Sequence, residues 1–166
     1  SLTLSENSND GTLVGPVLLA TDPDLGDTVS WRLLAQGNPG SAFGIVVSTG
    51  QLKVVTGSLI NFEGASNPYL LTVEALDDEA RTSGGATTRC SVRVTLIDVN
   101  EPPVLDNSYS RSVEERSLPG VTVGLPIVAT DPDAGVAGTL SFSLPATTTF
   151  DIDENGQIKI RCPVLD

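Results

Sequence analysis

Histidine is absent from the 166 residues, which removes Ser-His-Asp and Cys-His catalysis together with histidine-ligated zinc. Basic side chains are scarce: 9 lysines and arginines face 21 aspartates and glutamates, a formal net charge of −12. Such an excess repels nucleic acid and anionic membrane surfaces, so neither is expected as a partner. No apolar run reaches the roughly 18 residues that span a bilayer, which predicts no direct membrane insertion by this stretch, and no secretory leader is visible. The chain opens in mid-pattern at Ser1, stops at Asp166, and reads as an excised segment. Two cysteines neither require nor exclude an oxidising compartment. Aromatics are only 4% of the residues, against 16 glycines and 11 prolines. That profile suits a β protein with many turns rather than a helical one.

What is present is an internal repeat. Residues 11–26, GTLVGPVLLATDPDLG, align with 120–135, GVTVGLPIVATDPDAG, with nine of sixteen positions identical at an offset of 109. Glu6 falls on Glu115 at the same offset. Further matches keep the order: Thr28–Leu33 with Thr139–Leu144, Phe43–Ile45 with Phe150–Ile152, and Gly50–Lys53 with Gly156–Lys159. A period this long makes each copy a domain rather than a solenoid unit. The expected organisation is one complete copy over 1–98, a linker over 99–103 stiffened by Pro102 and Pro103, and a partial copy over 104–166. The second copy reaches only the counterpart of Asn61 and lacks whatever Tyr69–Asp98 supplies in the first.

Within the first copy the periodicity is two, as strands require. Tyr69, Leu71, Val73 and Ala75 alternate with Leu70, Thr72 and Glu74; Cys90, Val92, Val94 and Leu96 alternate with Ser91, Arg93 and Thr95. Turn clusters at 7–11, 22–27, 37–41, 48–50, 64–68 and 77–85 separate the runs. Six or seven short strands in about 100 residues predict an all-β fold of tandem Greek-key, immunoglobulin-like β-sandwiches, the second incomplete.

The acids collect in turns at strand ends: Glu6, Asp22, Asp24, Glu63, Asp77-Asp78-Glu79, Asp98, Glu101, Glu115, Asp131 and Asp133. Strand ends alternate between the two poles of a sandwich, so this placement concentrates negative charge where domains meet. A hard divalent cation relieves the repulsion, and calcium takes six to eight oxygen ligands. The motifs Glu6-Asn7, Asn61-Phe62-Glu63, Asp98-Val99-Asn100-Glu101-Pro102 and Asp131-Pro132-Asp133 resemble the calcium motifs of cadherin repeats, in the family's order. The run from Phe43 through Ile45 to Thr49–Leu52 is also similar to that family. One isolated acidic turn would mean little, since Asp-Pro-Asp is an ordinary turn sequence; four motifs in order carry the resemblance.

The resemblance implies calcium ions shared at the joint between repeats. Glu6 and Glu63 would bind from the first repeat. Asp98, Glu101, the Val99 carbonyl and the Asn100 side chain would bind from the linker, and Asp131 and Asp133 from the second repeat. Asn61, Pro102 and Ala137 occupy weaker or accessory positions. Asn61 stands where the family has Asp, Glu101 replaces the commoner Asp, and Ala137 replaces the usual Asn. Together with the missing counterpart of Asp77, these departures predict two well-formed calcium sites and a weaker third. Asp22, Asp24 and Asp77 would be half-sites for a preceding joint, and Glu115 for a following one.

Other features have simpler expectations. Asp151–Ile158 imitates the start of an EF-hand loop, but Cys162 stands where a bidentate glutamate is needed, so a hairpin turn is expected. Cys90 and Cys162 fall on apolar faces by alternation and are expected as buried thiols in different domains rather than a disulfide. Trp31 and Phe142, at equivalent places, are expected as core anchors. No Asn-x-Ser/Thr sequon is present.

The functional expectation is a non-enzymatic, calcium-dependent cell-adhesion or spacer module. Its partners would be neighbouring repeats of the same chain and another cadherin-like ectodomain, with homophilic contact in view. Its setting would be extracellular, in the ectodomain of a single-pass cell-surface protein; cadherin-like repeats of bacterial surface adhesins are similar too. A carbohydrate-binding β-sandwich is the alternative and needs an exposed aromatic pair near a metal. A carboxylate-pair hydrolase fits least, because the acids recur in both copies near joints.

Overall fold

Alternation along Tyr69–Leu76 places Tyr69, Leu71, Val73 and Ala75 on one buried face. In the computed structural model, which describes residues 1–22, 28–64, 66–77, 86–105, 108–135, 137–145 and 149–162, that segment is the centre of a sheet. The chain divides into two units, Ser1–Val99 and Asn100–Asp166.

Unit 1 contains strands β1 (Leu2–Ser5), β2 (Leu13–Val14), β3 (Ser30–Leu33), β4 (Phe43–Ile45), β5 (Leu52–Val54), β6 (Tyr69–Leu76) and β7 (Thr87–Ile97). One sheet has the order β1-β7-β6-β3 and the other β2-β5-β4. β6 is antiparallel to both β3 and β7, whereas β1 runs parallel to the end of β7, with Leu2 opposite Val94 and Ser5 opposite Ile97. The two sheets bury one apolar layer that includes Val14, Phe43, Leu52, Leu71, Val73 and Val94. Each such side chain contributes roughly 1.5–3 kcal/mol on burial. Trp31 joins this core at 7% exposure, as expected. Its ring lies where a Cβ at Gly50 would come within 2.8 Å of Cε2, and Gly50 adopts φ +71°, so the turn before β5 requires glycine twice over. No α-helix occurs among the described residues; two single turns of 3-10 helix, Pro39–Ser41 and Gly57–Leu59, link strands.

Two expectations about this sheet are corrected. Cys90 is exposed rather than buried. It lies opposite the buried Val73, but β1 covers only Val94–Ile97, so the first half of β7 is an open sheet edge. Glu74, on the face assigned to polar residues, is only 1% exposed. Its carboxylate lies between two cross-strand arginines: Arg32 on β3 is its register partner, and so is Arg89 on β7. Arg89 Nε donates to Oε1 at 2.8 Å, and Arg32 donates through Nε (2.9 Å) and Nη2 to Oε2. The Arg89 hydrogen bond, then the Arg32 one, hold this carboxyl below the ordinary glutamate value.

Unit 2 carries β8 (Val104–Leu105) antiparallel to β9 (Ala129–Thr130), and β10 (Phe150–Ile152) antiparallel to β11 (Ile158–Ile160). Thr122 bridges to Lys159. The β10–β11 connection is the expected hairpin. Asp153 Oδ1 accepts from the amides of Asn155 and Gln157 at 3.0 Å each, and Lys159 pairs with Oδ2 at 2.7 Å. Lys159 first, then the Gln157 amide, lower the Asp153 carboxyl. Cys162 is exposed, correcting the expectation of a buried thiol, because β11 ends at Ile160. Phe142 is half-buried.

The sequence repeat is a geometric repeat. Asn7 and Arg116, at the 109-residue offset, both hold positive φ, 55° and 60°. Ser8 Oγ donates to the Ser5 carbonyl at 2.6 Å, and Ser117 Oγ to the Glu114 carbonyl at 2.7 Å. Gln51 Nε2 donates to the carbonyls of Gly15 and Leu52 at 3.0 Å each, and Gln157 Nε2 to those of Gly124 (3.2 Å) and Ile158 (2.9 Å). The Gly11 amide binds the Val54 carbonyl and the Gly120 amide the Ile160 carbonyl.

Candidate metal centre

In unit 1 the acids are gathered by Glu6, which follows β1 and is 3% exposed. Its carboxylate accepts two backbone donors from distant segments: Phe62 N–H at 2.8 Å on Oε2 and Val99 N–H at 2.7 Å on Oε1. The Glu6 amide in turn donates to the Ile97 carbonyl at 3.0 Å, and the Asn7 amide to the Ile60 carbonyl at 2.8 Å. The first turn, the 60–63 loop and the end of β7 are thereby tied together. Carboxylate oxygens of Glu6 and Glu63 come within 4.8 Å, as do those of Glu63 and Asp98. At such a separation like charges repel, and a cation between them reverses the sign of the interaction. Each Glu6 oxygen spends one lone-pair direction on an amide and keeps another for a metal. Asn61 sits inside this same loop, between Ile60, whose carbonyl accepts the Asn7 amide, and Phe62, whose amide donates to Glu6.

In unit 2 the acids are gathered by Asp133, which is 7% exposed. Its Oδ2 accepts the Glu101 amide at 2.8 Å, and its own amide donates to Asp131 Oδ1 at 3.0 Å. Its Oδ1 is buried with no hydrogen-bond partner among the described residues. Gly138 lies against the Asp133 carbonyl so closely that a side chain there would collide with it. Sequence reasoning passed over this glycine; no spacing rule points to a contact five residues back. Ala137 precedes it, Pro102 is exposed, and the Asn100 side-chain nitrogen donates to the Glu101 carbonyl at 3.0 Å. All donors in both groups are oxygens, and the set fits a hard dication rather than a soft metal.

The remaining acids lie apart from these groups. Asp77 follows β6 and Asp98 follows β7, and because those strands are antiparallel the two aspartates sit at opposite ends of the sheet. Asp77 lines a hollow of about 130 Å³ with Asp22, Thr21 and Ala86. Asp24 lies outside the described residues. Glu115 is exposed, unlike its counterpart Glu6.

No protein-family model matches the chain. It is 34% identical over 162 residues to mouse Protocadherin-16, covering 92% of this chain and 5% of that protein. It is 32% identical over 154 residues to human Protocadherin gamma-A2, covering 88% and 16%. The chain therefore spans a small part of these relatives. Among solved structures, mouse Cadherin-23 EC22-24 superposes with a TM-score of 0.63 at 27% identity, covering 98% of this chain and 51% of that one. Drosophila N-cadherin EC1-4 superposes at 0.70 and 24% identity over 98% and 39% of the two chains, which shows the same β-sandwich fold. The family is non-enzymatic, and its repeats occur in tandem within large extracellular regions. With its motifs, its duplicated geometry and these similarities in agreement, the chain belongs to the cadherin superfamily and consists of the cadherin repeats that build protocadherin and cadherin ectodomains.

Proposed function

We propose that this chain is a calcium-stiffened extracellular spacer or adhesion segment, with repeats over 1–98 and 104–166 and a ligand-bearing linker over 99–103. Glu6, Glu63, Asp98, the Val99 carbonyl, Asn100, Glu101, Asp131 and Asp133 hold two calcium ions well. A third is held weakly, with Asn61, Pro102 and Ala137 at accessory positions. Calcium cancels repulsion between the acids and fixes the angle between repeats, and Pro102 and Pro103 limit the hinge without fixing it. Asp22, Asp24 and Asp77 serve a preceding joint in the same way, and Glu115 a following one. In the cell the segment belongs to the ectodomain of a single-pass surface protein and contacts another cadherin-like ectodomain.

The observation that carries this reading is Asp133 Oδ1, a buried carboxylate oxygen without a hydrogen-bond donor among the described residues. An uncompensated buried charge costs roughly several kcal/mol, and a bound cation removes that penalty. The carbohydrate-binding alternative loses its platform, because Trp31 and Tyr69 are both core residues. Calorimetric titration of the chelated protein with calcium tests the reading. Two tight sites and a weaker third are expected, with Asp133→Asn losing at least one tight site. Binding below one ion per chain, or an unaltered titration in Asp133→Asn, would contradict it.

A further inference from the structure

The outer face of the four-stranded sheet differs in charge from the rest of the chain. Strands β1, β3, β6 and β7 contain three arginines and a single carboxylate, Glu74, in a chain of net charge −12. All four of these side chains belong to the phase opposite Leu71, Val73 and Val92, which face the core. Glu74 is 1% exposed and bonded on both oxygens, so the charge that this face offers to solvent is positive only. Arg89 spends Nε alone on Glu74 and keeps both terminal nitrogens, and Arg32 keeps Nη1. Their side chains are 63% and 56% exposed. Arg93, opposite the exposed Leu70, has no acidic partner among the described residues. Between the arginines the outward positions are hydroxyls. Thr72 and Ser91 face each other in register, and Thr3 and Thr95 do the same beyond Arg93.

Strand geometry sets the spacing. Arg32 and Arg89 lie on either side of β6, with backbones about 10 Å apart, and Arg93 follows about 13 Å along β7. Three guanidinium groups at such intervals on a sheet face match an extended polymer with repeated anionic groups, rather than one compact anion. Each guanidinium fork takes two oxygens of one such group. Protein partners anchor on buried aromatic and apolar side chains. Here only Leu70 and Ile97 are exposed among the large apolar residues of these strands, and both aromatics, Trp31 and Tyr69, are core residues. That balance favours a polymer of acid and hydroxyl groups over an acidic protein.

We propose that this face binds a sulfated polysaccharide chain, laid across Arg32, Arg89 and Arg93, with Thr72 and Ser91 hydrogen-bonding its hydroxyl groups. Charge and hydrogen bonds carry the contact, so the aromatic platform that a stacked sugar needs plays no part. The acidic remainder of the surface repels the polymer and confines it to this face. Binding here needs no calcium.

Calorimetry in chelator, with a sulfated heparin oligosaccharide as the probe, tests this, because chelator removes any calcium bridge at the acidic groups. Saturable binding is expected at low salt, with log affinity falling against log salt at a slope between about −2 and −3. Arg93→Glu and Ser91→Glu, at exposed positions outside the Glu74 bonds, should each weaken binding about tenfold or more. Both should melt as the parent does. Lys53→Glu, on the other sheet, should leave the affinity unchanged. No binding at low salt, unchanged affinity in either folded variant, or an equal loss in Lys53→Glu overturns the proposal. So does equal affinity for the unsulfated polysaccharide, or for polyglutamate, which would make an acidic protein segment the occupant.

Discussion

Glu6 and Glu74 are both buried carboxylates, and their partners separate their roles. Glu6 takes one amide N–H on each oxygen, so an amide side chain in its place would point an NH2 at a backbone donor. Glu6→Gln is expected to cost about 1–3 kcal/mol, with the melting temperature falling in calcium and in chelator alike. A loss seen only in calcium would show that the two amide bonds carry no weight. Glu74 has no part in the metal groups; Arg89 and Arg32 hold its carboxyl below about 4.5. A carboxyl lowered in the folded state binds its proton first in the unfolded chain. Its contribution is therefore complete above about pH 4.5 and is lost as pH falls through the lower folded value. Glu74→Gln should lower stability at neutral pH and flatten its decline in acid; equal slopes for the two proteins would contradict this. Glu6 was singled out by its motif, although the two backbone amides it accepts were not foreseen. The burial of Glu74 was not foreseen either, because alternation assigns a face to each residue and cannot see two arginines brought in from β3 and β7.

At the level of elements, period two located β6 and β7 and named the residues that close the core. It failed where a strand outruns its neighbours. Cys90 keeps the inward phase of Val92 and Val94, yet β1 stops short of it and leaves an edge. Cys162 lies two residues past the end of β11. Exposure of a sheet edge depends on which strand lies alongside, and that is a long-range fact. Both thiols are accordingly expected to react quickly with a thiol reagent in the native protein, without denaturant. One slow equivalent that speeds up only on unfolding would restore the buried thiol. The 151–158 loop was read correctly as a hairpin because its flanks alternate as strands and no glutamate closes the ligand set.

For the whole chain, duplication was the most informative signal. Paired glycines, the Asn7 and Arg116 conformations and the two glutamine clamps recur because equal sequences at equal places solve the same turn. The acids within each unit are organised by their own backbone bonds, Glu6 in one and Asp133 in the other. The central claim is that calcium joins these two groups and stiffens the chain. Small-angle scattering paired with thermal melts, in calcium and in chelator, tests it most directly. A longer, narrower particle with a higher melting temperature is expected in calcium, with both effects lost in Asp98→Ala and in Asp133→Ala. Superimposable scattering profiles and equal melting temperatures in the two conditions would contradict the account.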